Sequence, residues 1–290
     1  MEGGTREPKN QIEYDRIGPW SEIKLEIVRR YAVEYSKVLA AQKKRGIRLH
    51  HAYIDAFAGS GVHLSRLSRT FVRGSPLNAL LVKPPFREFF FIDLDREKVK
   101  QLKNLTASWP NIHVYEGDCN EVLLTEVFPK VRYEEYRRAL CLLDPYGLHL
   151  DWRVIYTAGH MGSIEIFLNF PIMDINRNVL WNVPDRAPPD QRERMTRFWG
   201  DESWHDVAYQ ESPQLTFFGP IYEKSSALTI AEAFRERLKE KAGFKYVPEA
   251  IPMRNTKGHI LYYLFFASHN EKGKVIVDYI FNKFRNITPG

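Results

Sequence analysis

A glycine-rich turn follows the first buried strand predicted for the chain and offers a ligand a place against the backbone. It reads Asp55-Ala-Phe57-Ala-Gly59-Ser-Gly61 and comes directly after an apolar segment. Glycine tolerates tight backbone geometry, so such a turn lets a ligand approach the main chain closely. The spacing differs from the G-x-G-x-x-G of dinucleotide-binding folds. We interpret Asp55, Phe57, Gly59 and Gly61 as cofactor-binding residues, with an ordinary tight turn as the alternative.

Acidic residues also end the second and third predicted strands. Asp93 closes the segment EFFFID, and Asp118-Cys119 follows the segment NIHVYEG. In a nucleotide-binding α/β fold, a carboxylate at the first of these positions accepts hydrogen bonds from ribose hydroxyls. An acid or amide at the next strand end can receive an adenine amino group. We therefore predict that Asp93, Asp118 and Cys119 bind the cofactor, and the alternative is that Asp93 or Asp118 only caps a helix.

The fourth predicted strand ends in Asp144-Pro145-Tyr146-Gly, and the fifth carries Asn169 near its end. A carboxylate and a neighbouring backbone carbonyl can hold a target amine, and an aromatic ring can stack on a base. We predict that Asp144, Pro145, Tyr146 and Asn169 form the catalytic group. The alternatives are a simple Asp-Pro turn and a satisfied amide at a strand end.

These residues can lie close together only if the strands that precede them are parallel and end on the same side of one sheet. Mostly apolar segments alternate with helical ones, which predicts an α/β fold whose parallel sheet is covered on both faces. The last two strands form a hairpin through RNTKG, so the predicted strand order is 3-2-1-4-5-7-6 with only strand seven antiparallel. The ligand crevice is expected at the switch between strands one and four. The predicted strands are 51–57, 88–93, 111–117, 139–144, 163–170, 244–253 and 258–269.

The chain divides into an N-terminal part and one large domain. Residues 1–18 are polar and are predicted to be mobile, and residues 20–44 carry an apolar stripe at helical spacing. We assign residues 1–48 to this start and its helix, and residues 49–290 to the α/β domain. The stretch 175–224 has no clear strand, and we interpret it as an insertion of short helices and loops.

The strand-end motifs together resemble those of class I S-adenosylmethionine (SAM) methyltransferases, in a first-motif variant common among nucleic-acid amino-methyltransferases. A more detailed resemblance is to the three-Cys-motif partner (TcmP) proteins. It rests on YIDAFAGSG, RGSPLNAL, FFIDLD, GDCN, LLDPYGL, FLNFP with INRN, and RNTKGHILYYLFFAS. It implies a seven-stranded Rossmann-like fold, SAM as cofactor, an uncharacterised activity, and a radical-SAM-like partner with a three-cysteine motif. This chain lacks that triplet, so the resemblance makes it the partner and not the cluster binder.

Two features depart from ordinary methyltransferases. Residues 62–74 separate the glycine-rich turn from the next helix and carry Arg66, Arg69 and Arg73. These arginines can clasp the SAM carboxylate or a phosphate, or they can lie on a solvated loop. The fourth-strand motif is Asp-Pro-Tyr-Gly and lacks the second proline of Asp-Pro-Pro-Tyr, which puts amine methylation in doubt.

The formal net charge of +6 and a pI of about 9.1 suit a polyanionic partner such as nucleic acid, although an ordinary basic protein has the same balance. Cys119 and Cys141 form no CxxC pair, which favours a reducing cytoplasm. The polar residues 1–19 predict no secretory leader, and no apolar run is long enough to span a membrane. The histidines form no metal-ligand pattern, and we assign no metal.

Two hypotheses follow. The first is an enzyme that transfers methyl from SAM to a nucleic acid or modified base, with an amino group as the expected acceptor. The second is a catalytically silent SAM- or nucleotide-binding subunit of a three-Cys-motif radical-SAM-like partner. An enzyme should leave Asp144 and Tyr146 open to a second ligand. A binding subunit should have Asp144 tied up by a backbone donor or a basic side chain, and Tyr146 buried.

Overall fold

The computed structural model describes residues 14–42, 45–181, 183, 186–216, 219–255, 257–285 and 287, and for residues 211–221 it describes the backbone only. Seven of its strands form one central sheet. The strands are β1 Arg16–Ile17, β2 His50–Asp55, β3 Val62–Ser65, β4 Phe71–Arg73, β5 Glu88–Asp93, β6 Ile112–Glu116, β7 Arg137–Leu143, β8 Ile164–Phe170, β9 Tyr209–Thr216, β10 Gly219–Lys224, β11 Ile251–Arg254 and β12 Ile260–Ala267.

The central sheet has the order β6-β5-β2-β7-β8-β12-β11. Strands β2, β5, β6, β7 and β8 run parallel, and β12 pairs antiparallel with both β8 and β11. This confirms the predicted α/β fold and the order 3-2-1-4-5-7-6. The sixth predicted strand, 244–253, is shorter than expected: only β11 pairs regularly, and Tyr246 makes an isolated bridge to Ser268.

Helices cover both faces of the sheet. Successive strand residues point to opposite faces, so Phe90 joins one buried cluster and Phe91 the other. No helix among the described residues is both long and apolar enough to cross a membrane. The helices are α1 Pro19–Gln42, α2 Ser75–Leu80, α3 Arg96–Thr106, α4 Cys119–Val122, α5 Trp152–Met161, α6 Ile172–Asp174, α7 Pro189–Trp199, α8 Trp204–Ala208, α9 Ala227–Glu240 and α10 Glu271–Phe284.

Helix α1 precedes the central sheet in the sequence and packs against one face of it. Its buried stripe includes Ile27 and Tyr31, in the same cluster as side chains of α10. The Tyr31 hydroxyl donates a hydrogen bond to Glu165 on β8, and Ser268 Oγ donates to the same carboxyl at 3.0 Å. Burial raises the pKa of Glu165 to about 7. A titrating carboxyl therefore sits where α1 meets the sheet.

Glu165 is expected to make stability fall as pH rises from about 4.5 to about 7. Its pKa in the folded protein lies above the ordinary value of 4.5, so the folded state binds the proton more tightly. The stabilisation is complete below pH 4.5 and is lost through pH 7. At about 1.4 kcal/mol per pKa unit, Glu165 contributes roughly 3 kcal/mol to this change. Urea unfolding across this range should show a shallower pH dependence for Glu165→Gln, and parallel profiles would contradict the assignment.

Residues 62–74 are not a plain loop, as the sequence allowed, but form a β-hairpin. β3 and β4 pair antiparallel, and β1 adds to β3 in parallel. The part of the predicted mobile start that the structure describes, residues 14–18, therefore lies on a small sheet, and Tyr14 packs against Phe71 with ring centroids 4.9 Å apart. Strands of two to four residues are too short to give an alternating pattern in sequence. Residues 1–13 of that prediction lie outside the described residues.

The stretch 175–224, which we interpreted as short helices and loops, contains the short helices α7 and α8 and also the antiparallel pair β9 and β10. Pro213 and Pro220 lie inside these segments, and proline argues against a central strand. In a two-stranded sheet both strands are edges, where a proline costs no ladder hydrogen bond if its nitrogen faces outward. That exception explains why the sequence interpretation missed this sheet.

Candidate functional site

A cavity of about 820 Å³ opens at the carboxyl ends of the neighbouring parallel strands β2 and β7. It brings together most of the predicted catalytic and turn residues, while residues 15–21 and Tyr262 form other walls. Since β2 is flanked by β5 and β7, this is the switch between strands one and four. The predicted residues that line it are Phe57, Gly59, Asp144, Pro145, Tyr146 and Asn169.

The glycine-rich turn is tied to the end of β5. Gly59 and Gly61 have φ of +63° and +85°, where residues with side chains are strained. Gly59 N donates a hydrogen bond to Asp93 Oδ2 at 2.7 Å, and Asp95 N donates to Asp93 Oδ1 at 2.9 Å. Each oxygen of this carboxylate keeps a lone pair for a further donor. Asp93 therefore shapes the turn; it is not among the residues that line the cavity, and its contact with a ribose hydroxyl stays a prediction.

Asp55 lies beneath the turn and does not line the cavity. Its Oδ1 accepts a hydrogen bond from Phe57 N at 3.3 Å, whereas Oδ2 is buried without a partner among the described residues. Burial raises the pKa of Asp55 to about 7. The geometry indicates support of the turn from below, and the predicted direct contact with a cofactor stays a prediction.

Asp118 and Cys119 lie at the start of α4, outside the cavity lining. Asp118 accepts a hydrogen bond from Asn120 N at 2.9 Å and so caps the helix, which was the alternative for this residue. Cys119 is buried in the core, and burial raises its thiol pKa to about 12. The third strand end thus has a structural role in this geometry, and adenine recognition by these two residues stays a prediction.

Asp144 is held by side chains from two other elements. Lys24 on α1 forms an ion pair with Asp144 Oδ2, and Asn169 Nδ2 donates to Asp144 Oδ1 at 2.9 Å. Burial alone would lower the pKa of Lys24, but attraction to Asp144 and their hydrogen bond raise it to about 12. Lys24 therefore carries a positive charge inside the cavity at neutral pH. Asn169 Oδ1 is buried without a partner among the described residues.

Lys24 escaped the sequence interpretation, although a signal was present. Trp20, Lys24, Ile27 and Tyr31 share the buried stripe of α1, at helical spacing. A lysine at such a position must find a partner or remain unpaired in an apolar setting. Its position on the apolar face therefore indicates a buried ion pair, and only the fold identifies Asp144 as the partner.

Tyr146 stands at the mouth of the cavity and is 66% exposed. The ammonium of Lys98 lies 5.8 Å from the centre of its ring and also pairs with Asp15 at 2.7 Å. The states of Asp144 and Tyr146, which were to separate an enzyme from a binding subunit, therefore point to different functions. Asp144 is tied to a basic side chain, as a binding subunit would have it, whereas Tyr146 is open, as an enzyme would have it.

His63 is a second cavity residue that the sequence interpretation passed over. It lies on β3, and a side-chain carbon added at Gly59 would come within 3.8 Å of its ring. Its Nδ1 is buried without a partner in the part of the chain that is described. Burial lowers the pKa of His63; the negative charge of Asp15 opposes this shift, and the positive charge of Lys24 adds to it. An uncharged imidazole therefore borders the glycine-rich turn at neutral pH.

Arginines line the way out of the cavity. Arg16 and Arg66 line both the cavity and an adjoining groove, which also includes Arg69. All three are exposed, and none forms an ion pair with another described residue. Unpaired guanidinium groups are suited to phosphate binding. Arg73 is exposed on β4 of the same small sheet.

The ion pair can be tested by a double-mutant cycle. Removing one partner of a buried ion pair costs about 3–5 kcal/mol, and the partial exposure of Asp144 should reduce this toward the lower end. We expect Lys24→Met to destabilise the protein, and Lys24→Met/Asp144→Asn to recover part of that loss because no charge is then left unpaired. Urea unfolding of the wild type, Lys24→Met, Asp144→Asn and the double variant measures the coupling energy between the two side chains. Strictly additive losses would contradict a direct interaction.

Comparison with known proteins gives structural neighbours only. No family model matches the chain, and no curated protein matches its sequence. One neighbour is a putative methyltransferase from Thermobifida fusca YX, with 16% identity and a TM-score of 0.44 over 86% of this chain and 79% of that one. A second is the N-methyltransferase NodS from Bradyrhizobium japonicum WM9 in complex with S-adenosylhomocysteine, with 10% identity and a TM-score of 0.41 over 87% and 89%.

A third neighbour is a putative SAM-dependent methyltransferase from Listeria monocytogenes. It has 11% identity and a TM-score of 0.42 over 80% of this chain and 97% of that one. The fold assignment for the present chain rests on its own sheet order.

Proposed function

We propose that this protein is a SAM-dependent methyltransferase that acts on nucleic acid. The observation that carries the proposal is that one cavity contains both the glycine-rich turn and the Asp144-Pro145-Tyr146 motif. It lies at the switch point of the sheet, where α/β folds bind their ligands. A cofactor on the turn and an acceptor at the motif would then share one chamber, as a transfer reaction requires.

The residues around the turn fit SAM. Gly59 presents backbone without a side chain to the cavity, whose volume of about 820 Å³ is in the range of small-molecule sites. Asp93 retains capacity for the ribose hydroxyls, and Gly59 and Gly61 would lie beneath the methionine portion. SAM supplies an activated methyl group when bound. The protein supplies positioning, through the turn on one side and Asp144, Asn169 and the aromatic rim on the other.

The arginines support nucleic acid as the acceptor. Arg16, Arg66 and Arg69 extend from the cavity along the adjoining groove, so a phosphate backbone in the groove would bring a nucleotide to the chamber. Tyr146 is exposed at the mouth and would stack on a base, which is worth about 1–3 kcal/mol per base. The net positive charge of the chain also favours binding to a polyanion such as nucleic acid.

A salt titration of labelled single-stranded RNA and DNA tests the acceptor class. Three phosphate contacts predict a slope of log affinity against log salt of roughly −2, at about −0.7 per contact. Arg66→Glu/Arg69→Glu should weaken binding and flatten the slope. The matched control, Lys241→Glu/Lys272→Glu, reverses two exposed charges that line neither the cavity nor the groove and should have a smaller effect. Salt-independent binding, or no binding at low salt, would contradict nucleic acid as the acceptor.

The second candidate function is a silent SAM- or nucleotide-binding subunit, which the pairing of Asp144 with Lys24 favours. Its partner would be a three-Cys-motif radical-SAM-like protein, in line with the resemblance to TcmP proteins, and its location the cytoplasm. This alternative predicts SAM binding with no methyl transfer to any nucleic acid. A transfer assay with radiolabelled SAM therefore separates the two functions.

A further inference from the structure

The acceptor end of the cavity contains a fixed positive charge. Lys24 reaches it from α1, pairs with Asp144, and has its ammonium 5.1 Å from the centre of the Tyr262 ring. The Tyr262 hydroxyl donates to Trp20 O at 3.3 Å, so the ring is anchored to the same helix. Lys24, Asp144 and Tyr262 all line the cavity. The ammonium is thus held beside the motif at which a methyl acceptor would bind.

An amine is poorly matched to this environment. A target amino group presents two N–H donors and needs acceptors for them. Here Asp144 already receives donors on both oxygens, from Lys24 and from Asn169 Nδ2. The ammonium adds further N–H donors, and it has no lone pair to offer. Asp144 keeps lone pairs for an N–H as it does for an O–H, and Asn169 Oδ1 has no partner among the described residues, so N–H groups alone do not exclude an amine. The mismatch lies in the amine nitrogen, whose lone pair is delocalised into the base ring and does not accept a hydrogen bond from the ammonium.

A hydroxyl is well matched. Its oxygen can accept a hydrogen bond from the Lys24 ammonium while its proton points to a remaining lone pair of Asp144. As the hydroxyl proton moves to Asp144, negative charge develops on the oxygen beside the ammonium, and preorganised donors of this kind stabilise such charge. Because the pKa of Lys24 is about 12, it acts at neutral pH as a charged donor and not as a base.

Resting on the proposed function, we propose that the methyl acceptor is the ribose 2′-hydroxyl of RNA and that Lys24 is the catalytic residue that binds the acceptor oxygen. The oxygen–carbon bond forms as the carbon–sulfur bond of SAM breaks. The bonding pair leaves with sulfur, which becomes neutral S-adenosylhomocysteine, and the hydroxyl proton passes to the Asp144 carboxylate. The sum of charges is unchanged, and no other reactant is needed. The arginine-lined groove would present the RNA backbone to this chamber.

The test uses the full chain, radiolabelled SAM, and RNA and DNA oligonucleotides of the same sequence, followed by nuclease digestion and mass spectrometry. We expect label in 2′-O-methylnucleosides from RNA and none in DNA. Label in base amino groups, on RNA or DNA, would overturn the hydroxyl assignment and leave the proposed methyltransferase function standing. Absence of label from every nucleic acid, in protein that binds SAM, would overturn both.

Variants at Lys24 test its role directly. Loss of one preorganised donor to developing charge costs about 10²–10³-fold in kcat. Lys24→Met should show that loss with unchanged SAM affinity, whereas Lys24→Arg, which keeps the charge, should retain much of the activity. Lys37→Met, at an exposed position of the same helix, is the matched control. Lys24→Met/Asp144→Asn leaves no unpaired charge, so a folded double variant must also be slow, and full turnover in it would overturn the role.

Discussion

Asp144→Ala is expected to lower turnover by at least about 100-fold while SAM affinity changes by less than about threefold. The carboxylate pairs with Lys24, is hydrogen-bonded by Asn169, and would receive the acceptor proton. The turn at Gly59, where we propose that the cofactor binds, follows a different strand, β2. Positioned proton transfer alone contributes about 10²–10⁴-fold. Interactions that strengthen at the transition state reduce kcat more than ground-state binding when they are lost. Steady-state transfer kinetics together with SAM calorimetry measure both quantities.

Asp190→Ala supplies the matched control for this variant. Asp190 lies in the first turn of α7 and does not line the cavity, and among the described residues its side chain bonds only the neighbouring Gln191. Its removal should leave both quantities near the wild-type values. Parallel loss of SAM affinity and turnover in Asp144→Ala would place the residue in cofactor binding, and retained turnover would remove it from the reaction.

Asp93→Ala is expected to weaken SAM binding by about one to two orders of magnitude. The substitution would remove the proposed acceptors for the ribose hydroxyls, and it also releases the Gly59 N–H that Asp93 holds in the turn. Hydrogen bonds to charged groups are worth roughly 1.5–3 kcal/mol, and about 1.4 kcal/mol is tenfold in affinity. Calorimetric titration of the folded variant with SAM gives the comparison.

Asp95→Ala is the control for Asp93→Ala, two residues along the chain. Asp95 accepts from Glu97 N and Lys98 N and so caps α3, which makes it a structural carboxylate at the same strand end. Its loss should cost about 1 kcal/mol of stability and little SAM affinity. Equal effects of the two substitutions on binding would mean that Asp93 is only a structural acceptor.

Much of the fold could be predicted because the signal is long and repeated. Apolar strands such as 88–93 alternate with helices, and that alternation leaves few arrangements for a parallel sheet. The same order brings the turn at Gly59 and the motif at Asp144 to one edge of the sheet, as the structure confirms. Two kinds of feature were not predicted. The two small sheets have strands that are short or contain proline, and the ion pair of Lys24 depends on a tertiary contact that the sequence does not identify.

The carboxylates at strand ends show where local sequence becomes ambiguous. Asp93 and Asp118 both stand near the end of a predicted strand, and from the sequence either could cap a helix or meet a ligand. In the structure Asp118 caps α4, whereas Asp95 caps α3 and Asp93 is left to bond the glycine-rich turn. Both roles require the same residue type at nearly the same position, so only the three-dimensional contacts separate them.

Calorimetry of the purified full chain with SAM and S-adenosylhomocysteine tests the central claim most directly. A cofactor site on the turn at Gly59 predicts saturable binding of both compounds at one site per chain. Dissociation constants of about 1–100 µM are expected, within the range in which enzymes usually bind their substrates. Absence of binding by either compound to the folded protein at millimolar concentration would contradict the cofactor site, and with it the methyltransferase function.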